Sequence, residues 1–225
     1  MKKEILPPKA KKIKRLLVAH NDERIDNYFW LNDRENQEVI DYLDAENTYT
    51  KEILEHTETF QKSLFEEMKG RIKEDDTSVP YKLNGYWYVT KFEKGKDYPI
   101  YTRRKEKLEA EEELLFDANE MAKEHTYFKL GSIAISPDNT LAAFSQDTVS
   151  RRQYTIKVKN LITGEIYSEE IKNTAGGVTW ANDNKTLFYT RKNEVTLRSH
   201  KVFKHKLNTK VETDEEVFHE KDETF

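Results

Sequence analysis

The sequence predicts an α+β chain: an N-terminal amphipathic helical segment followed by a partial β-propeller of about three four-stranded antiparallel blades. The first observation is a repeat, because residues 136–145 resemble residues 181–190 and their turn aspartates, Asp138 and Asp183, lie 45 residues apart. Four short β runs in a period of about 40–50 residues are typical of propeller blades. The second observation is a change of apolar period, from helical before residue 70 to β after residue 80.

Composition limits the classes of function. The 225 residues are 36% charged, with 38 Lys and Arg against 42 Asp and Glu, and the formal net charge is −4. This balance is not typical of a dedicated nucleic-acid-binding protein. The absence of cysteine excludes disulfides and thiolate chemistry and predicts a reducing, cytoplasmic location. The longest apolar run near the start, residues 16–19, is too short for a signal peptide or a membrane span.

The sequence of the first 72 residues predicts an N-terminal arm followed by a helical segment. Residues 1–20 are basic, and we expect an irregular solvated arm, with a contact to a polyanion as the alternative. Asn32 is the predicted helix N-cap, with Glu35 as its capping-box partner. One long helix or two shorter ones should then run to Gly70, with an apolar stripe formed by Val39, Leu43, Tyr49, Ile53, Phe60, Leu64 and Met68. The first 70 residues offer this stripe no matching surface, so we expect its partner elsewhere in the fold.

Strand signals begin after the polar stretch 73–80, which we interpret as a linker. The first blade should span roughly 80–117, with strands at 86–90, 100–102 and 112–117. The strands expected in the next two units are 133–135, 141–144, 154–158, 166–167, 178–180, 187–189, 201–203 and 216–218. Residues 137–139 and 163–164 have the composition of hairpin turns.

Several stretches resemble the prolyl oligopeptidase family of serine peptidases. Residues 26–33, Asp-Asn-Tyr-Phe-Trp-Leu-Asn-Asp, look like the D-x-Y-x-W-L motif near the start of these enzymes. The same order continues through residues 42–50 and 78–120. Together with Leu130-Gly131 and residues 136–138, these stretches look most like the oligopeptidase B branch, which cleaves after basic residues. The resemblance covers nearly the whole chain.

The resemblance implies a larger parent fold, an α/β-hydrolase domain capped by a seven-bladed propeller. Residues 1–72 would pack on the hydrolase domain, 73–80 would form a hinge, and 80–225 would form the first three blades. The parent would hydrolyse short peptides after Lys or Arg through an acyl-enzyme, with the propeller restricting access. The implied partners are the hydrolase domain and short peptide substrates, with no nucleic acid, membrane or cofactor.

Catalytic residues are not expected within this stretch. The nucleophile of such a hydrolase sits in a G-x-S-x-G elbow, a motif that the sequence lacks. Ser132, Ser136 and Ser145 lie in β contexts instead. The resemblance places the Ser, Asp and His of the triad beyond Phe225, so we predict a non-catalytic region.

The remaining polar clusters are interpreted as structural. His200 and His205 are five residues apart on a predicted strand, so they should face opposite sides and not share a metal. All six histidines are expected at the surface: His20, His56, His125, His200, His205 and His219. Residues 74–76 are interpreted as solvated linker, Glu215 and Glu216 as oppositely directed, and Gly176-Gly177 as a turn and not a phosphate loop.

Three hypotheses follow. The first is the N-terminal gating part of a serine oligopeptidase, without turnover of its own. The second is a truncated, non-catalytic propeller-like interaction module, whose open blade edges would favour self-association. The third and weakest is a polyanion contact through the basic arm.

Overall fold

The computed structural model describes residues 5–224 and contains two compact units, Met1–Lys73 and Glu74–Phe225. The first unit opens with a two-stranded hairpin and continues with two helices. Its elements are β1 (Arg15–Ala19), β2 (Asp22–Asp26), a 3-10 turn (Phe29–Asn32), α1 (Gln37–Leu54), a 3-10 turn (Glu55–Thr57) and α2 (Glu58–Gly70). The helical segment is therefore two helices, and it ends at Gly70 as expected.

The expectation of an irregular arm over residues 1–20 is wrong for residues 15–20, which belong to a hairpin. β1 and β2 pair antiparallel in the register Arg15↔Asp26 to Ala19↔Asp22. The turn between them places His20 and Asn21 at φ values of 52° and 63°, and left-handed pairs of this kind fit two-residue hairpins. Both strands are largely exposed, so they lack the alternation of apolar and polar residues that identifies a strand in a sequence. Lys2 and Lys3 lie outside the described residues.

The predicted N-cap is also wrong, by four residues. Asn36 caps α1, and its side chain accepts a hydrogen bond from the backbone N–H of Glu38 at 3.0 Å. Asn32 instead ends a 3-10 turn whose own cap makes no side-chain hydrogen bond. Asn32 has Glu35 three residues later, whereas Asn36 has Val39 at that spacing, so the capping-box pattern favoured the wrong asparagine.

The second unit begins with a five-stranded antiparallel sheet and one short helix. Strand β5 is paired with β6 on one side and with both β3 and β4 on the other, and β7 follows β6. The elements are β3 (Asp76–Thr77), β4 (Tyr81–Leu83), β5 (Tyr86–Phe92), β6 (Ile100–Lys105), β7 (Glu112–Asp117) and α3 (Ala118–Ala122). The stretch 73–80 therefore is not a plain linker, because it contains β3.

A seven-stranded antiparallel sheet follows, in the sequential order β14-β13-β12-β11-β10-β9-β8. Its strands are β8 (Lys129–Ile135), β9 (Leu141–Asp147), β10 (Tyr154–Asn160), β11 (Ile171–Trp180), β12 (Thr186–Lys192), β13 (Ser199–Lys206) and β14 (Glu215–His219). Both copies of the sequence repeat lie in this sheet, and each repeated Asp/Asn turn connects two neighbouring strands.

Two details of this sheet correct the sequence analysis. Residues 166–167 do not form a strand, because Ile166 makes only an isolated bridge to Lys159. The position beside β10 is occupied by the start of β11, in the pair Ile156↔Ile171. Gly176 and Gly177 lie inside β11, at a shift of register between Thr174 and Val178, and do not form the expected turn before a strand.

Two apolar clusters hold the second unit together. One is built on the seven-stranded sheet around Ile156, Leu187 and Tyr189. The other joins the two sheets, since Tyr88, Leu115 and Phe116 of the first pack with Ala142 and Phe144 of the second. The rings of Phe116 and Phe144 lie 4.8 Å apart, and burying such large apolar side chains is the main driving force for packing one sheet on the next.

Candidate functional site

The serines in the repeat region bind backbone groups. The hydroxyl of Ser145 is buried, donates to the Gly176 carbonyl at 2.7 Å and accepts from the Ser132 N–H at 2.9 Å. The hydroxyl of Ser136 donates to the Asp138 carboxylate at 2.6 Å and accepts from the Leu141 N–H at 2.9 Å. Neither hydroxyl is hydrogen-bonded to a histidine, the partner that activates a serine nucleophile.

His205 was expected at the surface, and this is wrong. The imidazole is fully buried, and its Nδ1 lies 2.6 Å from Oδ1 of Asp214. The other oxygen of Asp214 accepts from the Tyr189 hydroxyl at 2.6 Å. Burial, and then the bond to Asp214, raise the pKa of the Tyr189 phenol, which is therefore a neutral donor.

Glu169 completes this buried polar cluster on the other side of the imidazole. Nε2 of His205 lies 3.0 Å from Oε1 of Glu169, yet it makes no well-directed hydrogen bond. The cluster therefore joins the segment before β11, strand β13 and the segment before β14. These residues are far apart in sequence, so no local motif could have identified the cluster.

His200, which was not expected to share a metal with His205, lies beside His219. Their rings are 5.5 Å apart, and His219 Nδ1 is 3.7 Å from a carboxylate oxygen of Glu216. Among residues 5–224, no group of three or more His, Cys, Asp or Glu side chains has the geometry to hold a metal ion. Within the same range, no helix is both long enough and apolar enough to cross a lipid bilayer.

The paired acids form ion pairs across the last two strands. Glu215 binds Lys204 at 2.6 Å and Glu216 binds Lys201 at 2.7 Å, so the two carboxylates take different partners. The Lys201 hydrogen bond lowers the pKa of Glu216. In the stretch 74–76, the Asp75 carboxylate accepts from the Lys94 N–H at 2.7 Å and so fixes a turn.

Asparagines connect the tips of successive hairpins. The Asn139 side chain donates to the Asn84 carbonyl at 3.1 Å, and the side-chain oxygen of Asn184 accepts from the Asp138 N–H at 3.0 Å. All three asparagines have φ between 47° and 63°, which Asn tolerates better than most residues. The buried guanidinium of Arg103 adds a hydrogen bond of 3.0 Å to the Asn139 carbonyl. Each sheet segment is thus joined to the next.

A cleft of about 560 Å³ lies beside these joined segments, and we call it the aromatic cleft. Tyr81, Tyr88 and Tyr101 contribute one side from the first sheet, and Ile133 and Trp180 contribute the other from β8 and β11. The Trp180 indole N–H donates to the Ala134 carbonyl at 2.8 Å, which holds β11 against β8. No local sequence pattern marks this cleft, because its walls come from strands in separate sheets.

A comparison with family sequence profiles supports the architecture. Residues 7–225 match the profile described as "Prolyl oligopeptidase, N-terminal beta-propeller domain".

Curated relatives extend the similarity to individual proteins. The chain is 39% identical over 236 aligned residues to dipeptidyl aminopeptidase BI of Pseudoxanthomonas mexicana, and 34% identical over 225 to Protease 2 of Moraxella lacunata. Each alignment covers 97% of this chain, but only 33% and 32% of the respective relative. The chain therefore spans about one third of the length of these proteins.

Solved structures agree with this placement. Oligopeptidase B from Leishmania major superposes with a TM-score of 0.88 at 28% identity, over 97% of this chain and 33% of that one. Oligopeptidase B from Trypanosoma brucei, in a closed form with covalently bound antipain, gives a TM-score of 0.84 at 23% identity, a likeness of fold. That match covers 95% of this chain and 32% of that one.

Proposed function

Since the chain belongs to the prolyl oligopeptidase family, in whose N-terminal β-propeller domain residues 7–225 fall, we propose that it serves a serine oligopeptidase as its access-restricting region. The parent would cleave short peptides, with a preference for Lys or Arg before the scissile bond. The likeness to oligopeptidase B over 97% of the chain carries this proposal. The specificity follows from that likeness, and the triad would belong to a separate α/β-hydrolase domain.

The connected hairpin tips support the access-restricting role. The contacts of Arg103, Asn139 and Asn184 run from the first sheet to the end of the repeat, so these segments resist separation. A wall of this kind admits only peptides small enough to pass through openings elsewhere. In this proposal residues 80–225 supply three blades, and residues 73–80 supply the hinge.

The exposed stripe of the first unit supports the proposed contact with the hydrolase domain. Phe60, Phe65 and Met68 of α2 are each at least 60% exposed, as is Ile72 just beyond the helix. A contiguous apolar surface of this kind is typical of an interaction site. In this proposal residues 1–72 pack through it on the catalytic domain.

The test is to capture the native protein from its source cells with an antibody against this chain. Its mass is measured first, followed by labelling with a fluorophosphonate probe, which reacts with activated serines. We expect a mass far above 26.7 kDa and strong labelling. The recombinant 225-residue chain is the control and should stay unlabelled. An unlabelled native protein would overturn the proposal.

Three fluorogenic peptides then determine the specificity: a blocked peptide ending in Arg, a blocked peptide ending in Pro, and an unblocked dipeptide. Hydrolysis of the Arg peptide supports the oligopeptidase reading. Preferential hydrolysis of the unblocked dipeptide would instead match the activity named for the Pseudoxanthomonas relative.

A second candidate is a non-catalytic interaction module. It is favoured by the position of β14 at the end of the seven-stranded sheet, where its outer edge has no partner among the described strands. A native protein of 26.7 kDa that stays unlabelled and co-purifies with another chain would support this candidate over the first.

A further inference from the structure

We propose that the aromatic cleft binds an extended, uncharged stretch of peptide and seats an aromatic or aliphatic side chain between its two walls. That the ligand is a peptide rests on the proposed function. The site is separate from any pocket for a Lys or Arg side chain.

The size and the aromatic lining of the cleft suit a peptide side chain. The volume of about 560 Å³ falls within the usual range for ligand pockets, roughly 300–1,000 Å³. Tyr81 is 58% exposed and stacks on Tyr88 at 5.2 Å, so one face of the pair is available to a ligand. Across the cleft, the indole of Trp180 is held by its bond to Ala134 and so presents a fixed ring. Rigid aromatic walls favour apolar side chains at a small cost in conformational entropy.

The lining of the cleft is uncharged. None of the described residues lining the cleft is Lys, Arg, His, Asp or Glu, although 36% of the whole chain is charged. A charged side chain entering this space would lose water without gaining a counter-ion, which is strongly unfavourable. The cleft therefore selects against the basic side chains that the proposed parent cleaves after.

Tyr88 adds a polar but uncharged group to the wall. The residue is 5% exposed, and its phenol lies next to the guanidinium of Arg103. Burial raises the pKa of this phenol, and Arg103 opposes the rise, so the group remains neutral. The wall that Tyr88 forms therefore carries no charge, which agrees with an uncharged ligand.

An open strand edge adjoins the cleft. β4 pairs with β5, and no other described strand covers its second edge. Tyr81 and Leu83 of β4 both line the cleft. An extended peptide can add to such an edge by main-chain hydrogen bonds while its side chains enter the adjoining pocket. Edge and cleft together match an extended peptide better than a compact small molecule.

The experiment titrates the 225-residue chain with three capped tripeptides of the form Ala-X-Ala, where X is Phe, Lys or Glu. Binding is followed by calorimetry. We expect saturable binding of the Phe peptide, at least tenfold tighter than that of either charged peptide. Equal binding of all three peptides, or no saturable binding, would overturn the proposal. The absence of saturable binding would indicate that another segment of protein covers the cleft instead.

Two variants locate the binding. Thr179 lines the cleft and is exposed, so Thr179→Glu introduces a carboxylate with little effect on folding and should weaken the Phe peptide at least tenfold. Val195→Glu is the matched control, at a site 91% exposed and outside the cleft, and should bind normally. Tyr81→Ser gives a second test with the same expected loss. Unchanged binding in both cleft variants would contradict the assignment.

Peptide binding is measured without catalysis, so this experiment can contradict the cleft proposal without contradicting the proposed function. Selective peptide binding together with an unlabelled native protein would support the peptide site in the cleft and contradict the proposed peptidase function. Labelling of the native protein without peptide binding would support the peptidase function and contradict the peptide site in the cleft.

Discussion

At the scale of single residues, the repeated turn aspartates show how a sequence repeat becomes a structural one. Asp183 accepts hydrogen bonds from the Lys185 N–H at 2.9 Å, and from the N–H and hydroxyl of Thr186 at 2.8 and 2.7 Å. The Thr186 hydroxyl and these N–H groups lower the pKa of Asp183. Burial opposes ionisation of Asp138, but hydrogen bonds from Ser136 and Thr140 outweigh it and lower that pKa as well.

The lowered pKa values of Asp183 and Asp138 predict that the stability of the fold depends on pH in the acidic range. A carboxylate whose pKa is lower in the folded state stabilises the fold above the ordinary pKa of about 3.9, and the contribution disappears as pH falls through the folded value. We therefore expect Asp183→Asn to lower the melting temperature at pH 6, and the difference between variant and wild type to shrink as the pH falls below about 3.9. Thermal unfolding at pH 6, 4 and 3 measures this difference. Asp44→Asn, at an exposed helix position, is the control, and a difference for Asp183→Asn that does not shrink between pH 6 and pH 3 would contradict the prediction.

Gly131 illustrates a second residue-scale constraint, a close approach. A Cβ added there would lie 2.4 Å from the Ser145 hydroxyl and 2.8 Å from the Tyr154 ring, closer than such atoms can sit. We expect Gly131→Ala to lower the free energy of unfolding by about 1–3 kcal/mol, the usual cost of overpacking. Urea denaturation measures this change.

Gly177→Ala is the matched control for that substitution, because nothing lies within 4 Å of the position where its Cβ would be. We expect a much smaller change there. Equal losses in the two variants would show that backbone effects, and not the contact with Ser145, determine the result.

At the scale of elements, the start of α1 depends on one hydrogen bond. Asn36 caps the helix through the Glu38 N–H, whereas Asn32 makes no capping bond. We expect Asn36→Ala to destabilise the chain by about 1 kcal/mol, the typical loss for an N-cap. Asn32→Ala should have a smaller effect, and helix content from circular dichroism with urea unfolding compares the two. A larger loss for Asn32→Ala would restore the cap position expected from the sequence.

The strands with buried apolar or aromatic residues were predicted from the sequence, whereas the exposed strands β1–β4 were not. β5, β9, β10 and β12 contain β-branched and aromatic residues and have buried positions, so their pattern identifies them. β1 is apolar but exposed, β2 is polar, and β3 and β4 have two and three residues, so no alternation of apolar and polar residues identifies them. Pairing with a distant strand leaves no mark in the local sequence.

β11 shows an element whose length is set by its neighbours. It pairs with β10 near Ile171 and with β12 from Thr174 to Trp180. Gly176 adopts a φ of 95° at the irregularity, beside the ring of Tyr154. The two glycines suggest a turn in the sequence. In the structure they lie at a register shift inside one continuous strand, which pairs with β10 and with β12.

At the scale of the whole molecule, the exposed apolar surface favours association with another protein surface. Within the first unit, the side chains of Phe60 and Phe65 are 68% and 62% exposed. We expect the isolated chain to self-associate at micromolar concentrations, and the double substitution Phe60→Glu, Phe65→Glu to reduce that association without lowering the melting temperature. Sedimentation velocity over a concentration series measures it.

Ile162→Glu is the control for this prediction, since Ile162 is 76% exposed on a loop of the second unit. It should associate like the wild type. A wild type that is monomeric throughout would refute self-association. Association that persists in the double variant would assign the contact to the open sheet edges.

Local patterns and their order were enough to predict the helical segment, most of the antiparallel strands that follow it, the repeat and the family. The division into three four-stranded blades stays a prediction, because the second unit has one five-stranded and one seven-stranded sheet. The cap at Asn36, the register shift in β11, the burial of His205 between Asp214 and Glu169, and the aromatic cleft arise only from the tertiary structure. Burial and contact depend on which distant strands become neighbours. A histidine on a strand has the same sequence signature whether water or a carboxylate faces it.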